Sequence, residues 1–200
     1  GTLGDTGAGV GEAQGIQDQI DIYFSTFAKS MASIGAFIAG DKKIIDFIKF
    51  NSRSQIYAKS LPMALVVGNL KRLELLRTQP ELRAKLWQNV NALQNGFREQ
   101  GFDIGITNSP VTPVYLKCSI PEAGQLIMEM REIYNIFCSA VLYPVIPKGQ
   151  LMLRIIPTAA HDMDDVNVTL DAFTAMKNKL EDGAYFDTEK ANMIEKLLSM

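Results

Sequence analysis

Apolar residues along this chain follow two different spacings. From Asp41 to Phe50, Ile44, Ile45, Phe47 and Ile48 interleave with Lys42, Lys43 and Lys49, which predicts a short amphipathic helix with Asp41 as N-cap. Pro62 suits the first turn of a helix over 63–77, and Pro80 opens another over 81–100 that Gly101 closes. In that second helix Leu82, Leu86, Val90 and Leu93 form the expected inner face, beside a polar face of Arg83, Lys85, Gln88 and Asn91. Beyond Gly101 the period shortens. FDIGI (102–106) and TPVYLKC (112–118) read as strands around an Asn108-Ser109-Pro110 turn. Pro121 starts a helix carrying Leu126, Ile127, Met130 and Ile133; NIFCSAV (135–141) and QLMLRII (150–156) read as strands; 162–181 reads as a helix with Val166, Leu170, Phe173 and Met176 inside. Met128, Met130 and Met152 are expected to fill gaps in this core. Alternating strands and helices predict a small α/β lobe. Residues 1–18 are glycine-rich without a period and read as loop; after Gly183 the tail is polar and ends in a helical pattern over 189–198.

Composition narrows the function. Hydrophobic content of 47% against 21% charged residues fits a globular chain, and 200 residues suffice for one large domain or two small ones. A net charge of −2 with scattered Lys and Arg gives no footprint for nucleic acid and no polybasic membrane patch. No apolar run reaches the roughly 20 residues of a membrane helix. Cys118 and Cys138 form no CxxC, and a single histidine completes no zinc set, so no metal is expected; two thiols in strand-like runs read as buried, in keeping with a reducing compartment such as the cytoplasm. The glycines of 1–18 match neither G-x-G-x-x-G nor G-K-[ST].

The candidate chemistry sits in STFAKSMASIGAFIAG, residues 25–40. Lys29 lies in a short turn between the strand-like runs DIYFST and GAFIAG, beside Phe27, Ala28, Met31 and Ala32. Enclosure by such neighbours would disfavour the ammonium form and favour a nucleophilic amine, as a Schiff-base lysine requires; otherwise the side chain reaches out to water. Arg154 stands in a strand among Leu151, Leu153, Ile155 and Ile156 and needs an anionic partner or a route to solvent.

Thr-Phe-Ala-Lys-Ser (26–30), followed by small residues and Gly35, resembles the cofactor-lysine segment of the α-oxoamine synthases, a pyridoxal-phosphate family. Three further stretches agree in order: residues 1–16 resemble the glycine-rich run after the family's Asp-Glu-Ala-His motif, 52–66 its serine-leucine-proline segment, and 151–165 its arginine strand ending in Thr-Ala-Ala-His. The resemblance implies a fold-type-I pyridoxal-phosphate-dependent transferase of the α/β class, present in part. Residues 1–78 would be the end of the large cofactor domain, 79–184 the small C-terminal α/β domain with its linking helix, and 185–200 a tail. The Asp-Glu-Ala-His motif and the first substrate loops would lie upstream, so these residues alone should not catalyse. With part of the sheet elsewhere, the first lobe should show unpaired edges and exposed apolar faces.

The same resemblance assigns roles. Lys29 would hold the pyridoxal phosphate aldehyde and remove the Cα proton of the amino acid. Thr26 would contact the cofactor phosphate, and Lys59 and Ser60 would reach the phosphate of a second subunit in a homodimer. The family's hydroxyl two positions before that serine is Ala58 here, which leaves the Lys59 ammonium or a backbone N–H to bind phosphate, or a plain turn before Pro62. Arg154 would clamp the substrate carboxylate. His161 matches a family histidine but is equally explained as a helix-start residue, and Asp162, Asp164 and Asp165 read as helix-dipole partners. The implied substrates are an amino acid and an acyl-CoA, with serine palmitoyltransferase favoured by the wording from Phe24 to Pro62. The alternatives are 2-amino-3-ketobutyrate CoA ligase, 8-amino-7-oxononanoate synthase and a non-catalytic synthase-like subunit.

Overall fold

A computed structural model of the chain describes residues 1–185. The chain divides into two compact units, one from Gly1 to Ala84 and the other from Lys85 onward.

The first unit opens with a glycine-rich segment that is not all loop. It holds a one-turn helix α1 (Val10–Ala13) and a 3-10 turn (Gln17–Gln19), both too short to give a readable period. Strands β1 (Ile22–Thr26) and β2 (Ala36–Gly40) form an antiparallel hairpin, with Tyr23 opposite Ala39 and Thr26 opposite Ala36. Gly40 closes it: a Cβ there would lie 2.4 Å from the Asp21 carbonyl oxygen. Helix α2 (Lys42–Asn51) starts where expected, its Asp41 cap accepting from the Lys43 N–H at 2.8 Å. A short helix α3 (Arg53–Ile56) follows, where the sequence pattern gave none, and then α4 (Met63–Thr78).

Burial in this unit is sparse. Among its described residues the hairpin pairs with no third strand, and only Gly11 and Asn69 are buried. In α2 Ile44, Ile45 and Ile48 are only half-buried and Phe47 is 67% exposed, and Phe24, Val67 and Leu70 are exposed as well. These are the open edge and apolar faces expected of the first lobe.

The second unit has a core of its own. Helix α5 (Pro80–Glu99) runs into it, and the chain then forms β3 (Thr112–Leu116), α6 (Ile120–Glu132), β4 (Ser139–Val141), β5 (Leu151–Ile155) and α7 (Met163–Glu181). The sheet is antiparallel in the order β3-β5-β4. FDIGI contributes one bridge, Asp103 to Tyr115, rather than a strand. Phe102 and Ile104 still go inward, Phe102 edge-on against Phe97 and Phe173, while Ile106 is exposed. Val114 and Leu153 from the sheet meet Phe97, Leu126, Met130, Phe173 and Met176 from the three helices. Both later helices carry capping boxes, Ser119 with Glu122 and Asp162 with Asp165.

Four expectations about this core need correction. Leu82, Met128 and Ile133 are exposed: Leu82 stands in the first turn of α5, ahead of the buried stretch that begins at Asn89, Met128 lies on the face of α6 opposite Leu126 and Met130, and Ile133 falls just past the end of α6; Met152 is only half-buried. In α5 Val90 and Leu93 are buried as expected, and Asn89, Gln94 and Phe97 join them, so two amides are buried. Cys138 is buried and Cys118 half-buried, and burial pushes both thiols up to about 11. The helical pattern over 189–198 lies outside the described residues.

Candidate active site

The Lys29 turn is built by backbone hydrogen bonds across the open end of the hairpin. The Phe27 N–H donates to the Gly35 carbonyl (2.9 Å), the Ser33 N–H to the Phe27 carbonyl (2.8 Å), and the Ala32 N–H to the Lys29 carbonyl (2.9 Å). Gly35 takes a φ of +101° there, and its missing Cβ makes room for Leu61, whose Cδ2 would otherwise lie at 2.8 Å. Leu61 is thereby seated beside the turn that carries Lys29.

Thr26 ends β1 and ties the turn. Its hydroxyl donates to the Gly35 carbonyl (3.1 Å) and accepts from the Ala28 N–H (3.1 Å). Phe27 packs against Phe37 with ring centroids 5.5 Å apart. Lys29 itself is exposed. Its apolar neighbours do not enclose it, Phe27 turning to Phe37 and Ala28 being exposed itself, so of the two readings the side chain takes the one that reaches out to water. Lys59 and Ser60 are exposed too. Ser33 Oγ, inside the turn, is buried with no hydrogen-bond partner among the described residues.

The end of the hairpin therefore offers an exposed primary amine, the hydroxyls of Thr26, Ser30 and Ser33, and the backbone N–H groups of the turn. That donor set fits a small molecule carrying an aldehyde and a phosphate: the amine can condense with the first, and N–H and O–H groups can bind the second. Among the described residues no cluster of His, Cys, Asp and Glu is placed to hold a metal.

The second unit places Arg154 on β5, opposite Pro113 of β3 and Ser139 of β4. Strand alternation sends Leu151, Leu153 and Ile155 into the core and Arg154 to the other face, where it is exposed. The route to solvent is thus the one taken, and among the described residues no carboxylate forms an ion pair with it. His161 serves structure: its Nδ1 accepts from the Thr158 N–H at 2.9 Å, and its carbonyl accepts from Asn89 Nδ2 at 2.9 Å. Asn89 also donates to the Thr158 carbonyl (3.1 Å), pinning the link from β5 to α7. Asp162 caps α7 by accepting from the Asp164 and Asp165 N–H groups.

Residues 3–173 match the model of the family described as aminotransferase class I and II. The chain belongs to that family. Among relatives in this aminotransferase-fold family, a cysteate-C-fatty acyltransferase of Capnocytophaga ochracea is 61% identical over 185 residues, covering 92% of this chain and 44% of the relative. A serine palmitoyltransferase of Sphingobacterium spiritivorum is 32% identical, covering 90% of this chain and 45% of its own. A solved serine palmitoyltransferase structure, described as carrying a pyridoxal phosphate internal aldimine, superposes with a TM-score of 0.83 at 28% identity, over 90% of this chain and 45% of that one. An 8-amino-7-oxononanoate synthase structure from Francisella tularensis, at 22% identity and a TM-score of 0.79, shares the fold. The chain spans a little under half the length of the curated relatives it matches.

Proposed function

We propose that this chain is part of a pyridoxal-phosphate-dependent α-oxoamine synthase, an acyltransferase that joins an amino acid to an acyl-CoA and releases CO2 and CoA. The observation that carries the reading is Lys29, an exposed amine in the hairpin turn that the Thr26 hydroxyl ties to Gly35 and Ala28. When bound, pyridoxal phosphate draws electron density from the substrate's Cα. Lys29 Nζ holds the aldehyde end of the cofactor and afterwards takes the Cα proton. Thr26 has a single hydroxyl hydrogen, now on the Gly35 carbonyl, which a phosphate oxygen would attract instead. Lys59 and Ser60 bind phosphate across a homodimer interface. Arg154 holds the amino-acid carboxylate through its planar fork.

On this reading residues 1–78 belong to the cofactor domain, 79–184 form the small domain, and the upstream half completes a homodimeric, cytoplasmic enzyme. These 200 residues alone are inactive. Identity of 61% to a cysteate-C-fatty acyltransferase, against 32% to a serine palmitoyltransferase, supports cysteate as the amino acid and a fatty acyl-CoA as donor. Serine is the second reading, supported by the structural likeness to serine palmitoyltransferase.

The test uses the full-length protein loaded with pyridoxal phosphate. Borohydride reduction and peptide mapping should mark Lys29, and marking of Lys42 or Lys43 instead would sink the assignment. Titration with cysteate should change the cofactor absorbance at lower concentration than titration with serine. The reverse order would favour the serine reading.

A further inference from the structure

The loop over residues 4–9 is gripped from three sides by side chains to which the proposed chemistry gives no task. Glu12 on α1 accepts from the Thr6 N–H (3.0 Å) and the Thr6 hydroxyl (2.8 Å) through one carboxylate oxygen, and from the Ala8 N–H (3.0 Å) through the other. Tyr23 on β1 donates its hydroxyl to the Ala8 carbonyl at 2.6 Å. Arg83 donates to the Asp5 carbonyl.

The loop backbone is shaped around these groups. Gly4 has a φ of +85°, and a Cβ on it would lie 2.1 Å from Glu12 Oε2. Gly9 has a φ of +115°, and a Cβ on it would lie 2.3 Å from the Tyr23 hydroxyl. Glycine is thus present where a clamp must come close. A loop so rich in glycine gains most from being clamped, since its free backbone has the most conformations to lose.

The loop also faces the hairpin. Together with Thr26, Phe27 and Ser30 it lines a cavity of about 790 Å³. Three residues ahead of the loop, a Cβ on Gly1 would approach Ser30 Oγ to 2.5 Å. Ser30 is the residue after Lys29, so a shift of the loop is felt at the turn that carries the amine.

We infer that Glu12, Tyr23 and Arg83 are positioning residues: they fix the 4–9 loop as a rigid wall beside the Lys29 turn, and so set the space open to the substrate there. The inference rests on the reading of Lys29 as the cofactor lysine. None of the three touches the reacting atoms. Their effect is on how firmly the wall is held, and it should fall on substrate affinity more than on turnover.

Glu12→Gln and Tyr23→Phe in the full-length, cofactor-loaded protein test it. Glu12→Gln replaces one accepting oxygen with an amide, and Tyr23→Phe removes a single oxygen. In Glu12→Gln, hydrogen exchange of the Thr6 and Ala8 amides should rise about tenfold or more. In both variants KM for the amino acid should rise about fivefold or more, with kcat within about twofold. Gly15→Ala is the control for general destabilisation, since Gly15 has a φ of +66° and nothing within 4 Å of its missing Cβ. It should lower the unfolding temperature without changing KM. Unmoved exchange at Thr6 and Ala8 overturns the clamp. Faster exchange with unmoved KM overturns its service to the site. If Glu12→Gln does not fold, Tyr23→Phe supplies the KM result and exchange at Ala8 and Gly9 the local one. A wild-type protein that borohydride leaves unmarked at Lys29 overturns the reading of the site and this inference with it, whereas a marked protein with unmoved KM overturns the inference alone.

Discussion

Asn89 offers a sharp test of how the second unit is held. The residue is 1% exposed, and its Nδ2 donates to two carbonyls, Thr158 at 3.1 Å and His161 at 2.9 Å. Truncation to alanine removes both bonds and leaves acceptors facing an apolar gap. At about 0.5–1.5 kcal/mol net for each hydrogen bond, Asn89→Ala should cost about 1–3 kcal/mol. The small cavity adds to this. Asn89→Asp is nearly the same size but carries no donor when ionised, and sets a buried charge against two carbonyl oxygens. It should therefore be worse than alanine at neutral pH. Burial and the two carbonyls raise the folded pKa of the introduced carboxyl above its unfolded value. The folded state then binds the extra proton, so stability recovers as pH falls through that raised value. Urea unfolding of the full-length protein across pH 4–8 would measure the order, with hydrogen exchange of the β5 amides localising the effect. If Asn89→Ala lies within about 0.5 kcal/mol of wild type, or Asn89→Asp matches it at neutral pH, the two carbonyl bonds do not carry the link.

Arg154→Lys keeps the charge but loses the planar fork, and should weaken amino-acid affinity about tenfold or more while the cofactor absorbance stays as it was; unchanged affinity for every amino acid the wild type binds would remove the carboxylate role. Around Glu129, burial works to raise the carboxyl, but hydrogen bonds from Lys179 (2.5 Å) and Tyr185 (2.8 Å) outweigh it and hold it below the usual range. Its contribution to stability should be full above the ordinary glutamate range and be lost as pH falls through the depressed value, and Tyr185→Phe should cost about 1 kcal/mol by urea unfolding. Cys118 and Cys138, with thiols near 11, should react with a thiol reagent at pH 8 far more slowly than free cysteine, and fast labelling of either in the folded protein would contradict their burial.

The periodic elements were legible because their signals are local. Asp41 and Pro62 marked helix starts, Gly101 a helix end, and the alternation around Arg154 a strand with one buried face. What stayed hidden depends on contacts distant in sequence. Asn89 and Gln94 look like solvated residues until one sees that carbonyls from 158, 161 and 109 meet them inside. FDIGI alternates like a strand, yet only Asp103 finds a partner. At the candidate site, Lys29, Thr26 and the Lys59–Ser60 segment were named from their motifs, but the meeting of Thr26 and Leu61 at Gly35 was not visible. Glu12 could have been suspected as an acidic residue in a glycine-rich stretch, which has many backbone N–H groups to satisfy. Of the two readings open for Lys29 in the sequence, the side chain takes the one that reaches out to solvent, because the neighbours along the chain do not wrap it.

The two faces of the β3-β5-β4 sheet divide its residues between separate tasks. Leu151, Leu153 and Ile155 fill the core, while Arg154 looks outward in register with Pro113 and Ser139, and Met152 with Tyr115 and Val141. Replacement on the outward face changes the surface offered to a ligand and leaves the packed side chains as they are. Surface changes of this kind usually move stability by no more than about 0.5 kcal/mol, against about 2–5 kcal/mol for truncating a core leucine. Arg154 apart, change on that face can therefore alter what is accepted while the packed scaffold is inherited.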